Sequence, residues 1–287
     1  MKKFFILTVF TTLLLVPASQ FAQSRKEKEK MAKAAAALPE KKPETTIKEY
    51  GKVITKEALS DDGLFIVHKV DKKYYFEISN KLLDKDMLLV SRLSKLPSDL
   101  GGGYVNAGSE TNEQLVVWHR FQDKVLLKVK SFTAVADASL PINISVKNNN
   151  YEPVLFAFDI VAFSTNSENT VIDVTKFYST DVKSISGLSA AMRETYKVKG
   201  MDESRSFITA MKSFPMNIEV VQDFTYNASN PPVMKDAETI SIQMNQSMIL
   251  LPEVPMKPRL ADPRVGWFTM NQIDYGSNEL KSDSKTF

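Results

Sequence analysis

The sequence predicts a mainly β protein, an antiparallel sheet or sandwich-like domain with minor helix, preceded by a signal peptide and a flexible tether. Three observations predict it. From Gly63 onward, β-branched and aromatic runs recur with two-residue alternation, as where Val125, Leu127 and Val129 share one face and Lys128 and Lys130 the other. Short polar turns separate these runs. Asp71-Lys72-Lys73 divides 65–70 from 74–78, and Gln122-Asp123-Lys124 divides 115–121 from 125–132, so each pair reads as a hairpin. Helical spacing is persuasive in one stretch only, about 185–195, through Leu188, Ala191 and Met192.

Taken in order, the chain opens on an address. Lys2 and Lys3 precede an apolar run from Phe4 to Val16, then Pro17, Ala18, Ser19 and Ala22. Thirteen residues at about 1.5 Å each cover roughly 20 Å, short of the ~30 Å hydrocarbon core, so 1–22 reads as a cleaved secretory signal and not as a membrane anchor. Export to the periplasm or medium follows, with the mature chain starting near Gln23. Residues 23–43 have almost no large apolar side chains and cannot offset the entropy of ordering, which makes them a charged flexible linker.

Residues 44–95 are expected to form an N-terminal β segment and 96–251 the main antiparallel β domain, with Asp99-Leu100-Gly101-Gly102-Gly103 as the loosest point between them. Strands are expected at 64–70, 73–79, 86–94, 114–121, 123–132, 153–164, 216–226 and 238–250. The run 153–164 is continuous enough to suggest burial on both faces. Residues 171–177 and 205–214 also have strand character. Then Pro252, Pro255, Pro258 and Pro263 remove backbone donors, so 252–287 is expected to leave as a Pro-rich extended arm. Val254, Met256, Leu260, Val265, Trp267 and Phe268 are too apolar for an idle linker. Trp267 or Phe268 is expected to be substantially exposed, and 282–285 to be an unstructured end. No repeat period is present, which excludes solenoids and propellers.

Composition narrows the function. Apolar residues are 43% and charged residues 25%, the balance of an ordinary folded protein. There are no cysteines, so thiolate metal sites, disulfides and cysteine nucleophiles are excluded. The formal charge of +3 comes from the two ends of the leader: 1–22 holds two lysines and 23–43 holds seven basic against three acidic residues, leaving 28 basic and 31 acidic. The folded part is slightly acidic, so no nucleic-acid partner is expected, and the shortness of the 4–16 run leaves no stable membrane anchor.

Nor do the motifs assemble a reaction. A zinc protease of the common type needs two histidines four apart on a helix with a glutamate between. The chain has only His68 and His119, each in a strand, which read as partly buried strand residues. No G-x-S-x-G elbow occurs, and Ser109 reads as a loop serine. Gly101-Gly102-Gly103 lacks the Lys-Ser/Thr of a phosphate cradle. Asp61-Asp62-Gly63 is a turn signature, Asp84 and Asp86 lack the further spaced oxygens of a calcium loop, and Asp202-Glu203 shows no facing acid. Trp118 and Trp267 fit a core or a carbohydrate or peptide groove. The expectation is no catalytic, cofactor-binding or metal-ligating residue, no cofactor, no peptidase activity and no stoichiometric zinc.

Several stretches together resemble one family: 63–70, 73–78 and 82–92, then Ser206-Phe207-Ile208, then Ser213-Phe214-Pro215-Met216-Asn217-Ile218-Glu219-Val220, and finally 256–268. They are similar to the N-terminal region of secreted bacterial zinc-dependent metalloproteases, over roughly 44–275. The resemblance implies two adjacent domains of unknown function ahead of a zinc catalytic domain, with the zinc helix downstream of Arg264-Val265-Gly266-Trp267-Phe268. It therefore implies a non-catalytic accessory region, truncated before the catalytic domain, which would be its partner in cis or as a split product, with a peptide as possible substrate. The alternatives are a stand-alone exported peptide- or glycan-binding module and an autonomous hydrolase. An exposed apolar patch near the C-terminus favours the first, and a concave pocket with convergent polar groups favours the others.

Overall fold

The computed structural model describes residues 47–257, 259–260, 262, 264, 268–276 and 282–286. The signal peptide and tether expected over 1–43 lie outside them, as does Trp267.

The strands follow from alternation. Over β12 (Asn217–Ala228) and β13 (Thr239–Leu250), every second side chain is buried. Their register places Ile218 opposite Met248, Phe224 opposite Ile242 and Tyr226 opposite Ile240, so both strands turn one apolar face to the same core. The remaining strands of the large sheet are β1 (Leu59–Asp61), β2 (Ile66–Val70), β3 (Lys73–Ser79), β4 (Met87–Lys95), β5 (Glu110–Phe121), β6 (Lys124–Val129), β8 (Val154–Phe163), β9 (Asn169–Asp173), β10 (Val198–Met201) and β11 (Phe207–Ser213). Their order is β1-β2-β3-β9-β8-β6-β5-β4-β13-β12-β10, with β11 also on β12, and every pair is antiparallel. The mainly β, antiparallel expectation holds. β4 lies between β5 and β13, so the strands before and after the glycine-rich break share one sheet.

The sheet curls until its first strands meet β11. Leu64 N–H donates to Phe214 O at 2.7 Å, Ser213 Oγ to Phe65 O at 2.7 Å, and Ser213 N–H to Asp61 Oδ2 at 3.0 Å. Gly63 sits in this seam because a Cβ there would lie 2.5 Å from Ser213 Oγ and 2.7 Å from Phe214 N and O. Inside, Trp118 is fully buried with its ring 6.0 Å from Phe65, 6.1 Å from Phe76 and 5.2 Å from Phe158. Trp118 is thus a core residue and not a groove lining.

Between β9 and β10 the chain crosses the concave face as an irregular strap carrying α3 (Thr175–Ser179), a 3-10 turn at Lys183–Ile185 and α4 (Ala190–Thr195). Phe177 and Tyr178 fill the aromatic core. Irregular backbone inside a core needs partners, and side-chain amides from the sheet supply them. Gln222 Nε2 donates to Tyr178 O at 2.5 Å, Asn112 Nδ2 and Gln114 Nε2 to Ser184 O at 2.7 and 2.8 Å, and Gln246 Nε2 to Ile185 O at 2.8 Å. Farther along, Arg193 grips Asp181 through two hydrogen bonds, at 2.8 and 2.6 Å, with its guanidinium over the Tyr226 ring.

Four local expectations are corrected. Residues 171–177 do not continue as one strand: β9 ends at Asp173, and Thr175–Ser179 turns helical to bury Phe177 and Tyr178. The helix expected over 185–195 begins only at Ala190, capped by Ser189 Oγ on Met192 N–H, because Ile185 to Leu188 are packed into the core as strap. The run 154–163 is not buried on both faces: Phe158 and Ile160 are buried, while Val154, Ala157 and Asp159 face solvent. Residues 282–285 do not form an unstructured end, since β16 (Ser282–Thr286) pairs with β14 (Arg259–Leu260) and β15 (Met270–Asp274). Backbone pairing overrides the weak β preference of that polar sequence. Two helices also went unread, α1 (Tyr50–Val53) and α2 (Ile142–Asn149).

Candidate functional site

The C-terminal arm leaves the sheet where Leu251 N–H meets Asp86 O at 3.1 Å and Lys85 pairs with Glu253 at 2.8 Å. Beyond that point Val254 and Met256 are 86% and 81% exposed, and Phe268 is fully exposed, as expected of it. The arm then returns. β15 runs parallel to β7 (Ala134–Val135), with Ile273 N–H on Thr133 O at 2.7 Å and Tyr275 N–H on Val135 O at 2.9 Å. Around this junction Phe132, Leu140, Met270, Ile273 and Tyr275 are all partly or largely exposed. Of α2 only Val146 is buried, so Ile142 and Ile144 add to the same excursion's apolar surface. Exposed apolar side chains collected on one segment mark a contact surface.

A second feature is a cleft of about 580 Å³ between the glycine-rich loop, the start of β5 and the strap. Leu93, Val105, Leu188 and Met192 provide its apolar lining, and Lys183, Ser186 and Ser189 its polar one. Gly101, at φ +68°, is needed here because a Cβ would meet Val105 Cγ2 at 2.6 Å and Met192 Cε at 3.0 Å.

The two histidines lie in separate settings. His119 is on the surface, with Nδ1 2.8 Å from Asp84 Oδ1. His68 is fully buried, not partly buried, because α1 covers the outer face of β3, β8 and β9. Its Nε2 lies 3.1 Å from Glu77 Oε2, and its Nδ1 lies 2.7 Å from Ser60 Oγ. Glu77 also accepts from Tyr50 OH at 2.7 Å and from Asn169 Nδ2 at 2.6 Å. Burial alone would raise the Glu77 carboxyl, but the hydrogen bonds from His68, Asn169 and Tyr50 outweigh it and hold its pKa below the ordinary glutamate value. An ionised carboxylate only accepts, so the Nε2 that faces it is a donor. Sequence reasoning missed this group, since Glu77 looks like a solvent-facing residue of an alternating strand.

Hydroxyl, imidazole and carboxylate in line is the order of an acyl-transfer relay. Neither the 580 Å³ cleft nor a second of about 450 Å³ borders Ser60, however. The network ties α1, β1, β2, β3 and β9 together. Of the carboxylate pairs, Asp61 closes the sheet seam, Asp86 binds Lys130 at 2.6 Å, and Asp202 binds Arg205 at 2.8 Å. Among the described residues no three His, Asp or Glu side chains converge to hold a metal, and no helix is long and apolar enough to cross a membrane.

Fold and surfaces together define a curled antiparallel β protein with a strapped interior and an apolar C-terminal arm. The chain belongs to the family described as Domain of unknown function (DUF5117), whose match covers 108–287, and residues 47–96 match a second family, Domain of unknown function (DUF5118). The two matches meet across the glycine-rich loop. No curated protein and no solved structure matches the chain.

Proposed function

We propose that this chain is the non-catalytic accessory region of an exported zinc metalloprotease-like protein, and that its C-terminal arm docks on the catalytic domain. The exposure of Val254, Met256 and Phe268 on a proline-stiffened segment carries this reading. Proline fixes φ and removes donors, so residues 252–257 are preorganised and lie outside any strand ladder. Large apolar side chains held out on such a segment are anchors for another surface. The resemblance over 44–275 supplies the partner's class, and zinc is assigned to that partner, with no ligand from this chain. Export rests on the character of 1–22.

Titration calorimetry with a zinc catalytic domain of the resembled family tests the proposal. Phe268→Asp and Met256→Asp should each weaken docking by about tenfold or more, a loss of about 1.4 kcal/mol. Both should leave the unfolding free energy within about 0.5 kcal/mol of the parent, as exposed positions do. Unchanged affinity in both variants would remove the arm from the interface. The second reading, a stand-alone peptide- or glycan-binding module, is favoured by the 580 Å³ cleft alone.

A further inference from the structure

One stretch in the middle of the large sheet is paired on one side only. β4 covers β5 from Glu110 to Val116. β6 covers the opposite edge from Val116 to Phe121, and Lys130 N–H on Leu115 O at 2.8 Å is the last rung. After Lys130 the chain turns away to reach β7 and pair with β15. Backbone groups on a strand alternate sides, so Glu113, two residues before Leu115, aims its N–H and C=O at the vacated edge. Among the described residues no strand pairs there.

Sheets ordinarily keep free edges short or blunt them with proline or lysine. The outer strands β1 and β10 are three and four residues long. Residues 110–114, Glu-Thr-Asn-Glu-Gln, contain neither proline nor lysine. The 580 Å³ cleft begins at the same end of β5, at Glu110, Thr111 and Asn112, and runs from there over Leu93 of β4 toward Leu188 and Met192. Asn112 and Gln114 are committed to Ser184 O, which holds the strap beside the edge without using the strand's own main chain. At the rim, Lys183 is exposed and makes no ion pair among the described residues, whereas Arg193 is neutralised by Asp181.

We propose that the β6-side edge of β5, from Glu110 to Gln114, binds an extended peptide segment of another polypeptide as an added strand. A strand edge offers main-chain donors and acceptors at peptide spacing, which a peptide backbone complements and a sugar does not. Leu188 and Met192 pack with Leu93 on the β4 side of β5, so the guest is recognised through the main chain of the edge. Lys183 selects an acidic residue at the cleft end, while Glu113 disfavours one at the other. This deepens the peptide-binding reading and is independent of the arm, since edge and cleft share no residue with 252–276.

The test is fluorescence anisotropy on the full chain with a fluorescein-labelled peptide of alternating valine and threonine carrying one terminal aspartate. Saturable binding is expected. It should weaken tenfold or more when alternate amides of the peptide are N-methylated, and similarly for Glu113→Pro, which removes an N–H that no strand among the described residues uses. Lys183→Glu should weaken binding severalfold. The N-methylated peptide needs no protein variant, so a folding defect in Glu113→Pro leaves the test intact. No binding, equal binding of the N-methylated peptide, or competition by glycans alone would overturn the proposal. Loss of arm docking would not touch it.

Discussion

Trp118→Ala is expected to lower the stability of the β domain by about 3–5 kcal/mol, the range for emptying a large aromatic site in a core. Trp118 is fully buried where strands from both ends of the sheet converge: Phe65 follows the seam turn, Phe76 is on β3 and Phe158 on β8. Its indole N–H points at Met248 Sδ at 3.1 Å, on β13 across the interior. Removing it opens a space that rings on three other segments would have to collapse into, and close packing leaves them little freedom to do so. Typical domains have about 5–15 kcal/mol in total, so the variant should lose a large share of its stability. Urea denaturation followed by near-ultraviolet circular dichroism reads the change. Tyr104→Ala, at a 92% exposed aromatic, should stay within about 0.5 kcal/mol of the parent. Equal midpoints for the two variants would show that the sheet does not close around Trp118.

Glu77→Ala is expected to cost a similar amount, about 3–5 kcal/mol, by a different route. It leaves His68, Tyr50 and Asn169 facing one another without their common acceptor in a site that α1 seals from water. The effect has a pH signature. The folded-state pKa of Glu77 lies below its unfolded value, so its ionisation stabilises the fold fully above the ordinary glutamate pKa of about 4.3. That contribution is lost as pH falls through the lowered folded value. Glu77→Gln should therefore flatten the stability curve below about pH 4.3, relative to the parent. Parallel curves for the two proteins would contradict the assignment of Glu77 as the buried carboxylate.

These two residues mark the boundary of what the sequence made legible. Trp118 sits in an alternating run, and the burial of its face follows from the pattern of Val116, Trp118 and the facing Val125 and Leu127. The same alternation placed β12 and β13 to within two residues. Glu77 lies in the same kind of run, but its burial depends on α1, which comes from a stretch with no helical spacing. Likewise the turn of Thr175–Ser179 into a helix depends on where Phe177 and Tyr178 are received, and that pocket is built by Phe156 and Phe158 of β8 and by Phe76 of β3, far earlier in the chain. The strap's amide partners are equally remote, with Asn112 bonding 72 residues ahead. Composition and period reveal local structure. They do not reveal which irregular segment will cross a core, nor which charged side chain a short helix will cover.

The arm is the part where sequence and structure meet most usefully. Four prolines and several large apolar residues were readable directly, and Phe268 stands free of the protein surface. The parallel strand β15, which brings the arm back to β7, was not readable, because its register is set by main-chain bonds to Thr133 and Val135.

Amide hydrogen exchange over 252–257 and 268–275 tests the docking of this arm most directly, comparing the chain alone with the chain joined to a zinc catalytic domain of the resembled family. Exposed, unpaired backbone opens at little cost, so residues 253, 254, 256 and 257 should exchange rapidly in the chain alone. Joined to the catalytic domain, the same amides and that of Phe268 should slow by at least about tenfold, with the rates of β12 and β13 unchanged or lower. Identical exchange of the arm in both proteins would contradict the account.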